Sequence, residues 1–331
     1  MRNANRLRWL LLVSGAILLG WLILRNDPAA VLGSISGLSW RLLIVLVFPF
    51  SVIVVLDTLG WRYAFPDSRV PFRALLWTRI VGEAVNVTTP TASVGGEAVK
   101  AWLLRPHVAL TDGLSSVIVA KTTITIAQGL MLALGIVCAW AALPADSGLL
   151  RPMEWLLLVE VVAVGGFVAV QLGGVMGAGG RLLARFGMPL AAAGGAALDD
   201  SLGGFYRRSP SRLACSIGFH FLGWVVSALE TYLILMLLGF EVSLLTTMVI
   251  EAASTAVRFA TFMVPGSLGV LEGGHVAVFA ALGLTGAAAL SFSIVRRIRE
   301  AAWVGVGLIV LAVLSRSATL GRSVVAPAPA D

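Results

Sequence analysis

The sequence predicts an all-α, polytopic integral membrane protein with about six spanning helices, two re-entrant helical hairpins and two inverted-topology repeats. Three observations lead there. Of 331 residues, 58% are hydrophobic and only 12% charged, with a mean hydropathy of +0.95, whereas a water-soluble chain carries about 25% charged residues. Apolar runs of roughly 20 residues, the length of a membrane helix, recur along the chain. Two further apolar stretches are broken near their middles by proline and glycine. A soluble enzyme is excluded, because a helix apolar on every face is stable only away from water.

The first apolar run, 8–24, follows Arg2, Arg6 and Arg8 and ends in Arg25-Asn26-Asp27-Pro28 without a small-residue cleavage site. Residues 1–30 are therefore expected to form a retained anchor helix. Spans follow at 41–60 and 114–141, flanking a hairpin at 72–104, and together they make a first repeat over 38–141. A linking segment, 154–212, holds the span 154–176 and a Gly-rich stretch expected to include an interfacial helix. The second repeat, 213–316, holds spans 214–238 and 290–314 around a hairpin at 243–283, and a tail of 317–331 remains.

The chain has 24 Lys and Arg against 17 Asp and Glu, a net charge of +7. So basic a balance suggests nucleic acid, but these charges are spread over short loops and form no single face. With both termini in the cytoplasm, the arginines of the N-terminus and of loops 62–73, 105, 181–212 and 316–322 all fall inside. Only Arg25 and Arg151 are left in outside loops, the bias that orients membrane helices. No nucleic-acid partner is expected. Cys138 and Cys215 each lie in an apolar run and make neither a disulfide framework nor a metal site. No HExxH or GxxxxGK[ST] run occurs, so no metal, cofactor or ATP motor is expected, and no catalytic residue is assigned. Asp199-Asp200 reads as a solvated turn or helix start.

A shift of 175 residues brings Pro90 onto Pro265, Glu97 onto Glu272 and Lys121 onto Arg296, with spans and hairpins in matching order. The extra span between the halves makes the second enter the membrane from the opposite side. Inverted repeats of this kind build secondary transporters, with the substrate site at the repeat interface on discontinuous helices. Proline ends the incoming half-helix, and unwound backbone at that depth has to line a cavity or be packed in protein. The returning half-helix offers free N–H groups to an anion, with the hydroxyls of Thr91, Ser93 and Ser267 beside it. Sharp hairpin turns with ordinary N-caps fit the same residues.

Charges inside the membrane each cost roughly 2.5–3.5 kcal/mol at a helix centre, so those at Glu83, Glu97, Lys121, Glu230, Glu251, Arg258, Glu272, Arg296, Arg297, Arg299 and Glu300 need a reason. Glu160 reads as one that snorkels to the headgroups. Glu97 with Lys121, and Glu272 with Arg296, are expected to pair as two half-sites, at which a lipid headgroup competes for the cation or the carboxylate carries a coupling proton. Dipole compensation at a helix start explains the two glutamates equally well. His275 lies three residues after Glu272 on the same helical face and joins that site, whereas His107 and His220 are set aside.

The run Asn86 to Lys100, with Pro90, Gly95, Gly96, Glu97 and Lys100, and the run Pro265-Gly266-Ser267-Leu268-Gly269-Val270-Leu271-Glu272-Gly273 resemble the paired signatures of the lysylphosphatidylglycerol synthase transmembrane-region family. Within it the chain is most similar to the hopanoid-biosynthesis-associated integral membrane proteins of bacteria. The resemblance implies an inner-membrane protein that translocates a lipid, with Asn86, Pro90, Gly95, Gly96, Glu97, Lys100, Pro265, Gly266, Gly269 and Glu272 as the matched positions. It also implies a membrane lipid as substrate and lipid-biosynthesis enzymes as associates. The aminoacylating members use a large cytosolic domain, for which the short tail leaves no room, so synthase activity is not carried over. An intramembrane enzyme acting on lipid headgroups, or a scaffold subunit, is the alternative.

Overall fold

The computed structural model describes residues 2–67, 70–89, 94–144, 147–185, 189–260 and 267–323, with side chains given within 13–315 except at 176, 183–184, 189–192 and 260. Every regular element among these residues is helical. Five helical stretches are long and apolar enough to cross a membrane: Pro28–Tyr63, Leu110–Ala142, Leu150–Leu172, Pro210–Leu237 and Gly286–Ser315. The chain is a multi-pass membrane protein.

Helix α1 (Arg2–Arg25) covers the segment expected as an anchor, and its described apolar part, Val13–Arg25, is short for a span. Asp27 then starts α2 (Pro28–Leu38), its carboxylate accepting the Ala30 N–H at 3.1 Å, and Pro28 at the first helical position forgoes only an N–H that a helix start leaves unpaired. The span expected over 41–60 is divided into α3 (Leu42–Val47) and α4 (Phe50–Tyr63). The cause is Pro49, which has no N–H to give and follows an extended Phe48.

Helices α5 (Phe72–Thr88) and α6 (Gly95–Leu103) form the first hairpin. Gly82 faces Lys100 and Asn86 faces Gly96, so the two run antiparallel. Helices α7 (Leu110–Ala142) and α8 (Leu150–Leu172) follow, and α8 ends four residues before the expected 176, where Gly173 and Gly174 turn the chain, the latter at φ +69°. The Gly-rich stretch holds two helices, α9 (Val175–Arg185) and α10 (Pro189–Arg208), packed on each other, with α10 also against α7 and α8. The Asp199 carboxylate accepts the Gly177 N–H at 2.6 Å in the first turn of α9, satisfying a donor the helix start leaves unpaired. Helices α11 (Pro210–Leu237), α12 (Leu244–Ala260), α13 (Val270–Ala281) and α14 (Gly286–Ser323) complete the chain, with Gly274 of α13 against Val257 of α12.

Lipid tails are as apolar as leucine, so helices in a bilayer associate through close packing and polar contacts. The crossings between the two halves fit that rule and correspond pairwise. Helix α4 packs on α11, α7 on α12, and α5 on α14. A Cβ at Gly135 of α7 would overlap Ala252 of α12, one at Gly307 of α14 would overlap Ala84 of α5, and one at Gly60 of α4 would meet the His220 ring of α11. Around them the main apolar core includes Leu132, Ile136, Ile234, Leu235, Val249, Ile250, Phe279 and Phe292, all buried. A second core joins Trp61, Phe65, Leu75, Leu104, Val117, Leu202 and Phe205.

The N-terminal helix is locked to the second hairpin where Gly15 meets Leu268 and Gly269. Gly269 has φ +77°, and a Cβ there would lie 2.5 Å from the Gly15 carbonyl oxygen. Gly269→Ala is therefore expected to cost at least the ~1–2 kcal/mol of a left-handed L-residue, with the backbone overlap added. It should show as a lowered melting temperature in detergent; an unchanged midpoint would mean that this turn relaxes freely.

Candidate functional site

The first hairpin gathers the residues of its signature. Asn86, in the last turns of α5, accepts the Gly96 N–H on Oδ1 at 2.8 Å and donates from Nδ2 to Glu97 Oε1 at 3.1 Å. Its amide thus binds the first turn of α6, whose N–H groups have no partner within the helix. Lys100 donates to Glu97 Oε1 at 3.0 Å and to Glu83 Oε1 at 2.7 Å. Gly96 permits this approach, because a Cβ there would overlap the Gly82 carbonyl oxygen. Gly95 opens α6.

In the second hairpin, Glu272 is 1% exposed and fully engaged. Its Oε2 accepts the Gly269 N–H at 2.7 Å and its Oε1 takes Arg297 Nε at 2.8 Å. Arg297 also bonds Glu300 at 3.1 Å. His275 Nδ1 contacts Ser293 Oγ at 2.7 Å. Ser267 precedes α13 at φ +46°. Pro90, Thr91, Ser93, Pro265 and Gly266 lie outside the described residues.

The expected charge pairs are redrawn. Glu97 is held by Lys100, one turn along its own helix, while Lys121 on α7 makes no ion pair among the described residues. Glu272 meets Arg297, and Arg296 meets Glu251 of α12, Nη1 to Oε2 at 2.8 Å. Successive residues on a helix point about 100° apart, so Arg297 turns toward α13 and Arg296 toward α12. Glu160 does not snorkel: it stands at the middle of α8, 2% exposed, against Gly129 of α7.

Three ionic groups cluster where α4, α5, α11, α12 and α14 meet, and the Asp57 group joins the two halves. Asp57 of α4 accepts Arg79 Nη2 of α5 at 2.7 Å on Oδ2, and its Oδ1 contacts His220 Nδ1 of α11 at 2.8 Å. Glu251 also accepts Ser227 Oγ at 2.7 Å and Thr231 Oγ1 at 2.8 Å. Glu230 of α11 binds Arg299 of α14, whose guanidinium lies 4.1 Å over the Phe50 ring, an arrangement that favours a desolvated cation. Two cavities open here. The larger, about 280 Å³, is lined by residues of both halves, among them Asp57, Arg79, Glu83, His220, Trp224, Ser227, Arg258, Arg296, Arg299, Glu300 and Trp303. The smaller, about 110 Å³, is lined by Trp61, Arg79, Glu83, Glu97, Lys100 and Lys121 among others. Among the described residues no group of three or more His, Cys, Asp or Glu is placed to hold a metal ion.

Asp57, Arg79 and His220 were not among the residues the sequence singled out. A signal was present for Asp57, since an ionisable residue inside an apolar run marks a functional site by default. Of the expected site residues, Asn86, Glu97 and Lys100 come together, Glu272 stands with Arg297, and only Lys121 and Arg296 line a cavity from outside the hairpins. No curated protein and no solved structure matches the chain. A family model described as "Lysylphosphatidylglycerol synthase TM region" matches residues 9–314. On that match over nearly its whole length, the chain belongs to the lysylphosphatidylglycerol synthase transmembrane-region family.

Proposed function

We propose that this protein moves a polar- or anionic-headed lipid between the leaflets of a bacterial inner membrane, without chemistry on the headgroup and with both termini in the cytoplasm. The observation that carries the proposal is the larger cavity, whose charged lining comes from both halves of the chain. A lipid headgroup crossing a bilayer needs polar surroundings at depth, and a cavity between two bodies can face either side as one rocks against the other. The pairwise crossings α4 on α11, α5 on α14 and α7 on α12 support reading those bodies as two repeats of opposite orientation. Gly82 and Val257, one shift of 175 apart, each take the close approach of the returning helix, at Lys100 and Gly274. The family supports a lipid as the cargo, and the likeness of the broken segments to hopanoid-associated proteins supports work beside those lipid-synthesis enzymes. Free energy for uphill movement would have to come from a gradient, since no nucleotide-binding run is present.

The test is leaflet exchange of fluorescently labelled phospholipids in vesicles holding the purified protein. Wild type is expected to exceed empty vesicles, and Arg296→Ala and Arg79→Ala to lower the rate about tenfold or more, the loss of ~1.4 kcal/mol of differential stabilisation. Exchange no faster than in empty vesicles, with a modified headgroup released instead, would establish the enzyme in place of the translocase.

A further inference from the structure

Six cations among the described residues line the two cavities, and four of them are neutralised at close range: Arg79 by Asp57, Lys100 by Glu83 and Glu97, Arg296 by Glu251, and Arg299 by Glu230. Arg258 and Lys121 are the exceptions. Neither side chain makes a hydrogen bond or ion pair among the described residues. Arg258 feels Arg296 and Arg297 as like charges and Glu300 and Glu251 as attractions, but forms an ion pair with neither carboxylate. Glu300 is itself bound to Arg297 at 3.1 Å. Lys121 is drawn toward Glu83, which Lys100 already holds at 2.7 Å.

A cation without an ion-pair partner inside a membrane protein is costly, and a fold that keeps two of them on the walls of adjoining cavities keeps a place for an anion. The cavities adjoin, since Arg79, Glu83 and Ile124 line both. The donor inventory agrees. Trp224 Nε1, Arg296 Nε and Arg299 Nε, on residues that line the larger cavity, are buried donors without an acceptor. A phosphate brings several acceptor oxygens and pairs with a guanidinium through two parallel bonds. A carboxylate brings fewer.

We propose that Arg258 and Lys121 are two stations for the phosphate of an anionic lipid headgroup, the first in the larger cavity and the second in the smaller, with Arg79 and Glu83 between them. The inference rests on the translocase reading for its substrate class, but binding is measurable without transport. It has a thermodynamic signature that a structural arginine lacks. A cation kept for a ligand destabilises the empty protein, so removing it raises stability while abolishing binding.

The experiment uses the full chain in maltoside micelles and radiolabelled dioctanoyl phosphatidylglycerol as the probe. Arg258→Gln is expected to weaken binding about tenfold or more, or ~1.4 kcal/mol, with a melting temperature equal to or above wild type. Lys121→Gln is expected to weaken it severalfold, and Arg258→Lys to recover part of the loss. Unlabelled dioctanoylglycerol, which lacks the phosphate, should not compete. Binding unchanged in Arg258→Gln, or competition by dioctanoylglycerol equal to that of the phospholipid, would overturn the proposal. Inorganic phosphate competing as well as the phospholipid would overturn its assignment to a lipid. Should Arg258→Gln lose stability along with binding, Arg258→Lys decides: native stability with restored binding supports the station, and native stability without binding refutes it. Intact binding with no leaflet exchange would remove the translocase reading and leave the site. Normal exchange with Arg258→Gln binding like wild type would do the reverse.

Discussion

Replacing Glu251 with leucine is expected to cost about 3–5 kcal/mol of stability, the penalty for stranding one member of a buried ion pair. Glu251 is 1% exposed, and both of its oxygens are occupied. Without it, Arg296 keeps its charge at a site where Ser227 Oγ, at 3.3 Å, is the one hydrogen-bond partner left among the described residues. The double variant Glu251→Leu with Arg296→Met should recover most of that loss, because an apolar pair of similar volume spares the desolvation of both ions. The pair of variants separates two roles. Recovery of the melting temperature together with full leaflet exchange would show that the ion pair serves packing alone. Recovery without exchange would show that Arg296 is kept for the cavity it lines, and failure of the double variant to recover would mean that the pair itself specifies this helix crossing.

The class of the fold was legible because it depends on quantities that local sequence carries. Runs of apolar residues about 20 long mark helices in lipid, and proline and glycine mark where they break. Even so, Pro49 divides α3 from α4 inside one apolar run, since hydropathy averages over a single residue that has no N–H. The pairing of charges was legible only where it is local. Glu97 and Lys100 stand one turn apart on α6 and meet. The partners of Asp57 lie 22 and 163 residues away, and whether Glu272 faces Arg296 or Arg297 depends on the rotation of α14 about its own axis. That rotation is set by tertiary packing, including Gly307 against Ala84, which no local pattern encodes. The glutamates at the starts of α6 and α13 illustrate the same limit. Glu272 caps α13 through the Gly269 N–H, Glu97 leaves the start of α6 to Asn86 and pairs with Lys100, and the unpaired cations, Lys121 and Arg258, lie on other helices.

The second large effect is steric, and it comes from the smallest substitution available. Gly96→Ala is expected to cost several kcal/mol, above the ~1–3 kcal/mol usual for overpacking, because the added carbon would overlap a backbone atom, the Gly82 carbonyl oxygen. Backbone cannot rotate away as a side chain does. The two helices must separate, and the bonds across the seam, Asn86 to Gly96 and Glu97 and Lys100 to Glu83 at 2.7–3.1 Å, go with them. Gly274→Ala, one hairpin later, meets only the Val257 side chain, at 2.8 Å, and should cost less. Gly166→Ala on α8, with nothing within 4 Å of the new carbon, should be neutral or stabilising by up to about 1 kcal/mol, the ordinary preference of a helix for alanine. Melting temperatures in one detergent would rank the three. The expected order places Gly96 lowest and Gly166 highest, and equal midpoints would show that the hairpins are not packed at the separation the glycines imply. The ranking also bears on transport. If Gly96→Ala proteins still fold but lose leaflet exchange, the close seam between α5 and α6 is what holds Glu83 and Lys100 at the wall of the smaller cavity, beside Lys121.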